Sequence, residues 1–138
     1  MKKKELINTK VDVKYIITGL WFSMMILYIY NDFFHLFVPN SIQEIMDGNM
    51  GPFEVTQAGL VMAAVLMAIP VIIGLLTLIL SAKISRITNI IAGSLYTIVN
   101  ISNIPGEWAF YVLLGIIQIV FTLLIIWYAV KWPSQEIQ

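Results

Sequence analysis

The sequence predicts an all-α, polytopic membrane protein: an antiparallel four-transmembrane-helix bundle with a short interfacial helix in the first outer loop. Three observations predict it. Four apolar runs, at about 15–38, 53–80, 84–104 and 108–130, each reach the ~20 residues that a helix needs to cross ~30 Å of hydrocarbon. Hydrophobic residues make up 59% of the 138 residues and charged ones 12%. A soluble domain of this size could not bury that much apolar surface. The third observation is charge placement. Lys2, Lys3, Lys4, Lys10 and Lys14 precede the first run, Lys83 and Arg86 separate the second from the third, and Lys131 follows the fourth. Those are all the basic residues, and all fall on one side. The other side carries Asp32, Glu44, Asp47, Glu54 and Glu107. The positive-inside rule then places both termini in the cytoplasm and residues 39–52 outside.

Residues 1–14 are polar and basic, and the apolar run behind them is too long for a signal peptide and lacks a small-residue cleavage site, so the first span is read as uncleaved. Between spans one and two, Ser41-Ile42-Gln43-Glu44 fits a capping box, which predicts one or two helical turns ended by Gly48. Pro39, Pro52, Pro105 and Pro133 sit at span boundaries. Pro70 is internal and predicts a bend in span two near Ile69. Ala58, Gly59, Ala63, Ala64 and Ala68 predict close helix approach in that span. Tyr15, Trp21, Trp127, Tyr128 and Trp132 are expected toward the inner interface and Trp108 at the outer one. The two later connections are short, so consecutive spans should be antiparallel neighbours.

Polar residues inside the spans are the functional signal. Tyr28, Asp32 and the only histidine, His35, stand at i, i+4 and i+7 and share a helix face. Span three carries Asn89, Gly93, Tyr96, Asn100 and Asn103 on one continuous face. Span four carries Glu107, Tyr111, Gln118 and Thr122 on one face. Glu54 and Gln57 are expected on the first turn of span two, where the helix dipole favours a carboxylate. An ionised group at mid-bilayer costs roughly 2.5–3.5 kcal/mol and usually faces a bundle interior. The expectation is an outward-opening, acidic intramembrane pocket lined by Tyr28, Asp32, His35, Glu54, Gln57, Tyr96, Asn100, Asn103, Glu107, Tyr111 and Gln118. The competing reading is that these amides only hydrogen-bond neighbouring helices, at about 0.6 kcal/mol each. His35 is read as a structural residue rather than a metal ligand, and no metal or cofactor is expected. Phosphate-loop, nucleophile-elbow and His-Glu-x-x-His patterns are absent. Nothing basic on the outer side points to nucleic acid. Cysteine is absent, which excludes disulfides and thiolate chemistry.

Leu27-Tyr28-Ile29-Tyr30-Asn31-Asp32, Glu44-Ile45-Met46-Asp47-Gly48, Phe53-Glu54-Val55-Thr56-Gln57, Ala68-Ile69-Pro70 and Trp127-Tyr128-Ala129-Val130-Lys131-Trp132-Pro133 resemble a family of small bacterial four-helix membrane proteins of unknown function. The resemblance covers nearly the whole chain. It implies a bacterial cytoplasmic-membrane location and supplies no activity. In layout alone the chain is similar to the four-helix membrane fold of sterol isomerases and the sigma-2 receptor. That analogy implies a pocket lined by Asp32 and Glu54.

Four functions follow as expectations. The first is binding of a small amphiphilic or cationic molecule, a lipid or an amine, in the pocket. The second is acid/base catalysis, isomerase-like, by Asp32 or Glu54. The third is a structural or partner-binding membrane subunit. The fourth is transport, which would need a homodimer because four helices enclose little space.

Overall fold

Asp12 starts the first helix. Its carboxylate accepts a hydrogen bond from the Lys14 amide at 2.8 Å, which satisfies one of the unpaired donors of the first turn. The protein is described by a computed structural model covering residues 6–134; Lys2, Lys3 and Lys4 lie outside the described residues. Helix α1 spans Val13–His35, followed by a short helix α2 (Ser41–Met46) and two strands, β1 (Asn49–Met50) and β2 (Phe53–Glu54). Three long helices complete the chain: α3 (Gln57–Ile79), α4 (Ala82–Ser102) and α5 (Ala109–Val130). Helices α1, α3 and α5 are long and apolar enough to cross a membrane. Helix α4 is nearly as long, at 21 residues, but Lys83, Arg86 and a polar face make it less apolar.

Helix α1 packs on α3 and α5, and α4 packs on α5 and more lightly on α3. The buried side of α1 runs Ile17, Trp21, Met24, Tyr28 and Asn31, in steps of four and three that keep one face inward. Ala92 and Tyr96 of α4 and Ile125 and Ala129 of α5 complete the core. Trp21 is therefore core rather than interface. Its ring meets Tyr96 edge-on, with centroids 5.7 Å apart.

Close helix approach occurs at two glycines. A Cβ on Gly93 would lie 2.9 Å from Ile126 Cγ1 of α5, and one on Gly74 would lie 3.2 Å from Trp21 Cβ of α1. The expected stripe of small residues in α3 does not serve this purpose, because Ala58, Ala64 and Ala68 are exposed. Helix α3 leans on the core with its middle and second half, through Leu66, Met67 and Ile73.

The first connection corrects three expectations. The N-cap of α2 is Asn40, with φ +70°, and Ser41 is buried inside the helix instead of capping it. Residues 49–54 form a hairpin in which Asn49 pairs with Glu54 and Met50 with Phe53, turning at Gly51 with φ +55°. Helix α3 consequently begins at Gln57, where Thr56 Oγ1 accepts from the Gly59 amide at 3.0 Å. Glu54 is a strand residue ahead of the helix, so the helix-dipole argument for it fails.

Gly59 lies where the hairpin meets α3, and a Cβ there would overlap the carbonyl oxygen of Glu54. Gly59→Ala should therefore cost about 1–3 kcal/mol, the usual range for overpacking. Hydrogen exchange should speed up in residues 49–60. Unchanged exchange there would show that the junction yields without strain.

Lys14 Nζ donates to the carbonyls of Leu80 at 2.6 Å and Leu78 at 3.4 Å. A lysine from the start of α1 thus satisfies unpaired carbonyls at the end of α3. This tie and the chain order put Lys10, Lys14, Lys83, Arg86 and Lys131 at one end, the basic end, and Asp32, Glu44, Asp47, Glu54 and Glu107 at the other, the acidic end.

Candidate functional site

Polar side chains run through the interior, and those in the basic half are paired. Asn89 of α4 accepts from Trp21 Nε1 at 2.7 Å. Its amide nitrogen donates to Thr77 Oγ1 and to the Ser85 carbonyl, both at 2.8 Å. One side chain thus joins α1, α3 and α4. Thr18 donates to the Gly74 carbonyl at 2.9 Å, and Ser85 to the Thr77 carbonyl at 3.3 Å. Nearer the middle, Thr97 donates to Thr122 Oγ1 across α4 and α5 at 2.8 Å. Tyr96 donates to the Leu66 carbonyl at 2.6 Å. That carbonyl is the one Pro70 cannot reach within α3, since proline has no N–H to offer the residue four back. Helix α3 continues through Pro70 with the freed acceptor satisfied from α4.

Toward the acidic end the pairing becomes incomplete. Tyr28 donates to Asn100 Oδ1, and Asn100 Nδ2 contacts Met24 Sδ at 3.8 Å. At that level and from there to the acidic end, Gln118 Nε2, Asn31 Oδ1 and His35 Nδ1 are buried without a hydrogen-bond partner. Asn31 is 1% exposed and Gln118 2%. Leaving such a group unpaired costs about 1–3 kcal/mol, so these atoms require an explanation.

Helix register sets them on successive turns of the α1–α5 seam. His35 and Tyr111 stack edge-on with centroids 6.2 Å apart, as do Phe34 and Phe110 at 6.2 Å. Stepping back along α1 and forward along α5 sets Asn31 beside Gly115 and Tyr28 beside Gln118. The Thr97–Thr122 contact similarly sets Gln118 beside Asn100 and Ile101 across α4. Tyr28, Asn100 and Gln118 therefore share one level, and Asn31 lies about one helical turn, ~5 Å, closer to the acidic end. At that end Phe34, Phe37, Trp108 and Phe110 line a recess of about 330 Å³ on the same α1–α5 seam.

Of the sequence-predicted residues, Tyr28, Tyr96, Asn100 and Gln118 are in the interior, and His35, Glu107 and Tyr111 are half-buried. Asp32, Glu54, Gln57 and Asn103 are exposed. The buried polar groups of this half are amides and hydroxyls, His35 and Glu107 are half-buried, and the expected acids Asp32 and Glu54 are exposed. Asp32 follows Asn31 by one residue, a turn of ~100° that carries it off the buried face. Asn103 is the C-cap of α4, past the last helical turn. Among the described residues no three histidine, aspartate or glutamate side chains group as a metal site. The expected pocket lining omitted Asn31, and the signal for it was present: it continues the four-three spacing of Ile17, Trp21, Met24 and Tyr28.

A family model described as a family of unknown function (DUF6326) matches residues 4–138. The chain belongs to that family. The match covers the helices and the hairpin alike, so the polar core described above lies wholly within the family's domain. No curated protein and no solved structure matches the chain.

Proposed function

We propose that this member of the family is a four-span protein of the bacterial cytoplasmic membrane that binds a small amphiphilic molecule between α1, α4 and α5, at the acidic end. The observation that carries the reading is the contrast between the two halves of the interior. Polar groups are paired from Lys14 to Thr97, whereas Asn31 Oδ1, His35 Nδ1 and Gln118 Nε2 are not. Gln118 Nε2 offers a donor and Asn31 Oδ1 an acceptor. A head group presenting both kinds of site would complete them, and the aromatic recess nearer the acidic end of the α1–α5 seam suits an apolar tail. Asp32 and Glu54 are exposed, so the reading favours a neutral hydrogen-bonding head group over an amine and gives no role to acid/base catalysis.

In this reading α4 also crosses the membrane, as span three, with its polar face turned to the other helices. Both termini are cytoplasmic and residues 39–52 lie outside, as the clustering of Lys10, Lys14, Lys83, Arg86 and Lys131 at one end supports. Cysteines at Asn49 and Ser134 should label from opposite sides of intact cells, Asn49 from outside. Labelling from the same side would exclude four spans.

Binding is tested by native mass spectrometry of gently extracted protein. A small co-purifying molecule is expected with the wild type and with Asp32→Asn, and its loss with Asn31→Leu and Gln118→Leu. Bare wild-type protein, or equal retention by all four, would contradict the site. A second reading, a partner-binding subunit or homodimer, draws on Asp32. It is exposed on an apolar helix among exposed Ile29, Tyr30 and Phe33, where contact with lipid is unfavourable and a second chain would cover it. A change of oligomeric state in Asp32→Asn favours that reading.

A further inference from the structure

We infer a second site, at the basic end, for the phosphate head group of an anionic phospholipid. A recess of about 430 Å³ lies between the start of α4 and the chain leaving α5, lined by Lys83, Arg86, Ile87, Ile90 and Trp132 among others. Its volume is within the roughly 300–1,000 Å³ of small-molecule sites.

The lining matches the two parts of a lipid. Lys83 and Arg86 are both exposed and stand three residues apart, which puts them on one side of α4. A guanidinium forks onto two phosphate oxygens, and an ammonium adds a point charge beside it. Ile87 and Ile90 continue along α4 away from its charged start and, with Trp132, present an apolar wall for the upper acyl chain. Tryptophan is favoured at that depth because its ring is amphipathic. Charge complementarity selects the occupant. The basic end gathers Lys10, Lys14, Lys83, Arg86 and Lys131, and the lipid surface it would meet is anionic. Lys131 is placed 3.8 Å over the Trp127 ring and Lys14 bonds the α3 carbonyls, so both are engaged elsewhere. Lys83 and Arg86 are the cations that line the recess.

The inference rests on the membrane-spanning reading and is tested with a control for it. The full chain is placed in nanodiscs of equal phosphatidylcholine and phosphatidylglycerol, and lipids retained after release are counted by native mass spectrometry. The wild type should retain one phosphatidylglycerol in preference to phosphatidylcholine. Lys83→Gln and Arg86→Gln should each weaken that retention about fivefold, which corresponds to the loss of one interfacial cation. Lys10→Gln, at the same end but outside the recess, should leave it unchanged. Equal retention by Lys83→Gln and Arg86→Gln, an equal loss in Lys10→Gln, or no preference over phosphatidylcholine would overturn the site. Displacement of the lipid by millimolar inorganic phosphate would show a phosphate-ion site and overturn the lipid assignment. Thermal melting of each variant separates lost binding from lost folding; if both glutamine variants unfold, Arg86→Lys, which keeps the charge and removes the fork, must weaken retention. Failure of the chain to enter nanodiscs at all would instead refute the membrane-spanning reading, and the lipid site with it.

Discussion

Asn89→Leu should destabilise the protein by about 2–4 kcal/mol, the largest effect expected of any single polar-to-apolar change. Asn89 is fully buried and makes three hydrogen bonds, to Trp21, Thr77 and Ser85. A hydrogen bond between membrane helices is modest, about 0.6 kcal/mol on average. Removing Asn89 also strands the Trp21 N–H in the core, and an unsatisfied buried donor adds about 1–3 kcal/mol. Leucine has similar bulk but no acceptor. Trp21→Phe should cost less, since it removes the donor together with its need for a partner. In Asn89→Leu/Trp21→Phe the two losses should not add. Reversible unfolding in detergent reads all three variants. A cost below ~1 kcal/mol for Asn89→Leu would show that the node joining α1, α3 and α4 contributes little.

Tyr96→Phe should cost about 1–3 kcal/mol through a different route. It leaves the Leu66 carbonyl, which Pro70 has already deprived of its helical donor, without any partner. Pro70→Ala supplies an amide to that carbonyl from within α3. Tyr96→Phe should then be nearly neutral in the Pro70→Ala background, a coupling of about 1 kcal/mol or more. Tyr96→Phe effects that add fully to those of Pro70→Ala would mean that the hydroxyl is not compensating for the proline.

Much of the helical architecture was legible in the sequence, because apolar runs and prolines mark helix limits directly. Four long helices lie within four residues of the expected spans. The first connection was less legible. A two-residue strand pair around Gly51-Pro52 has no period to detect, so Glu54 was assigned to a helix that begins three residues later. The face of α4 was readable because its amides and Tyr96 follow steps of three and four; Asn89, Gly93, Tyr96 and Asn100 are all buried. The face of α1 was not readable from hydropathy, since Asn31 and Asp32 stand side by side near its end and polarity alone does not say which of them turns inward. The cost of exposing a charge to lipid argued for Asp32 inward, but the ~100° step from Asn31 carries Asp32 off the buried face and it is exposed. The amide beside it went inside instead. The pairing of Tyr96 with the proline-freed carbonyl joins residues thirty positions apart and depends on how α3 and α4 meet, which no local pattern encodes.

The proposed binding site at Asn31, His35 and Gln118 is tested most directly by a high-resolution experimental map of the protein extracted with its native lipids. The account predicts non-protein density within hydrogen-bonding distance of Asn31 Oδ1 and Gln118 Nε2, continuing toward the recess at Phe34 and Trp108. Asn31 and Gln118 bonded to each other or to neighbouring protein groups, with no density between α1 and α5, would contradict it.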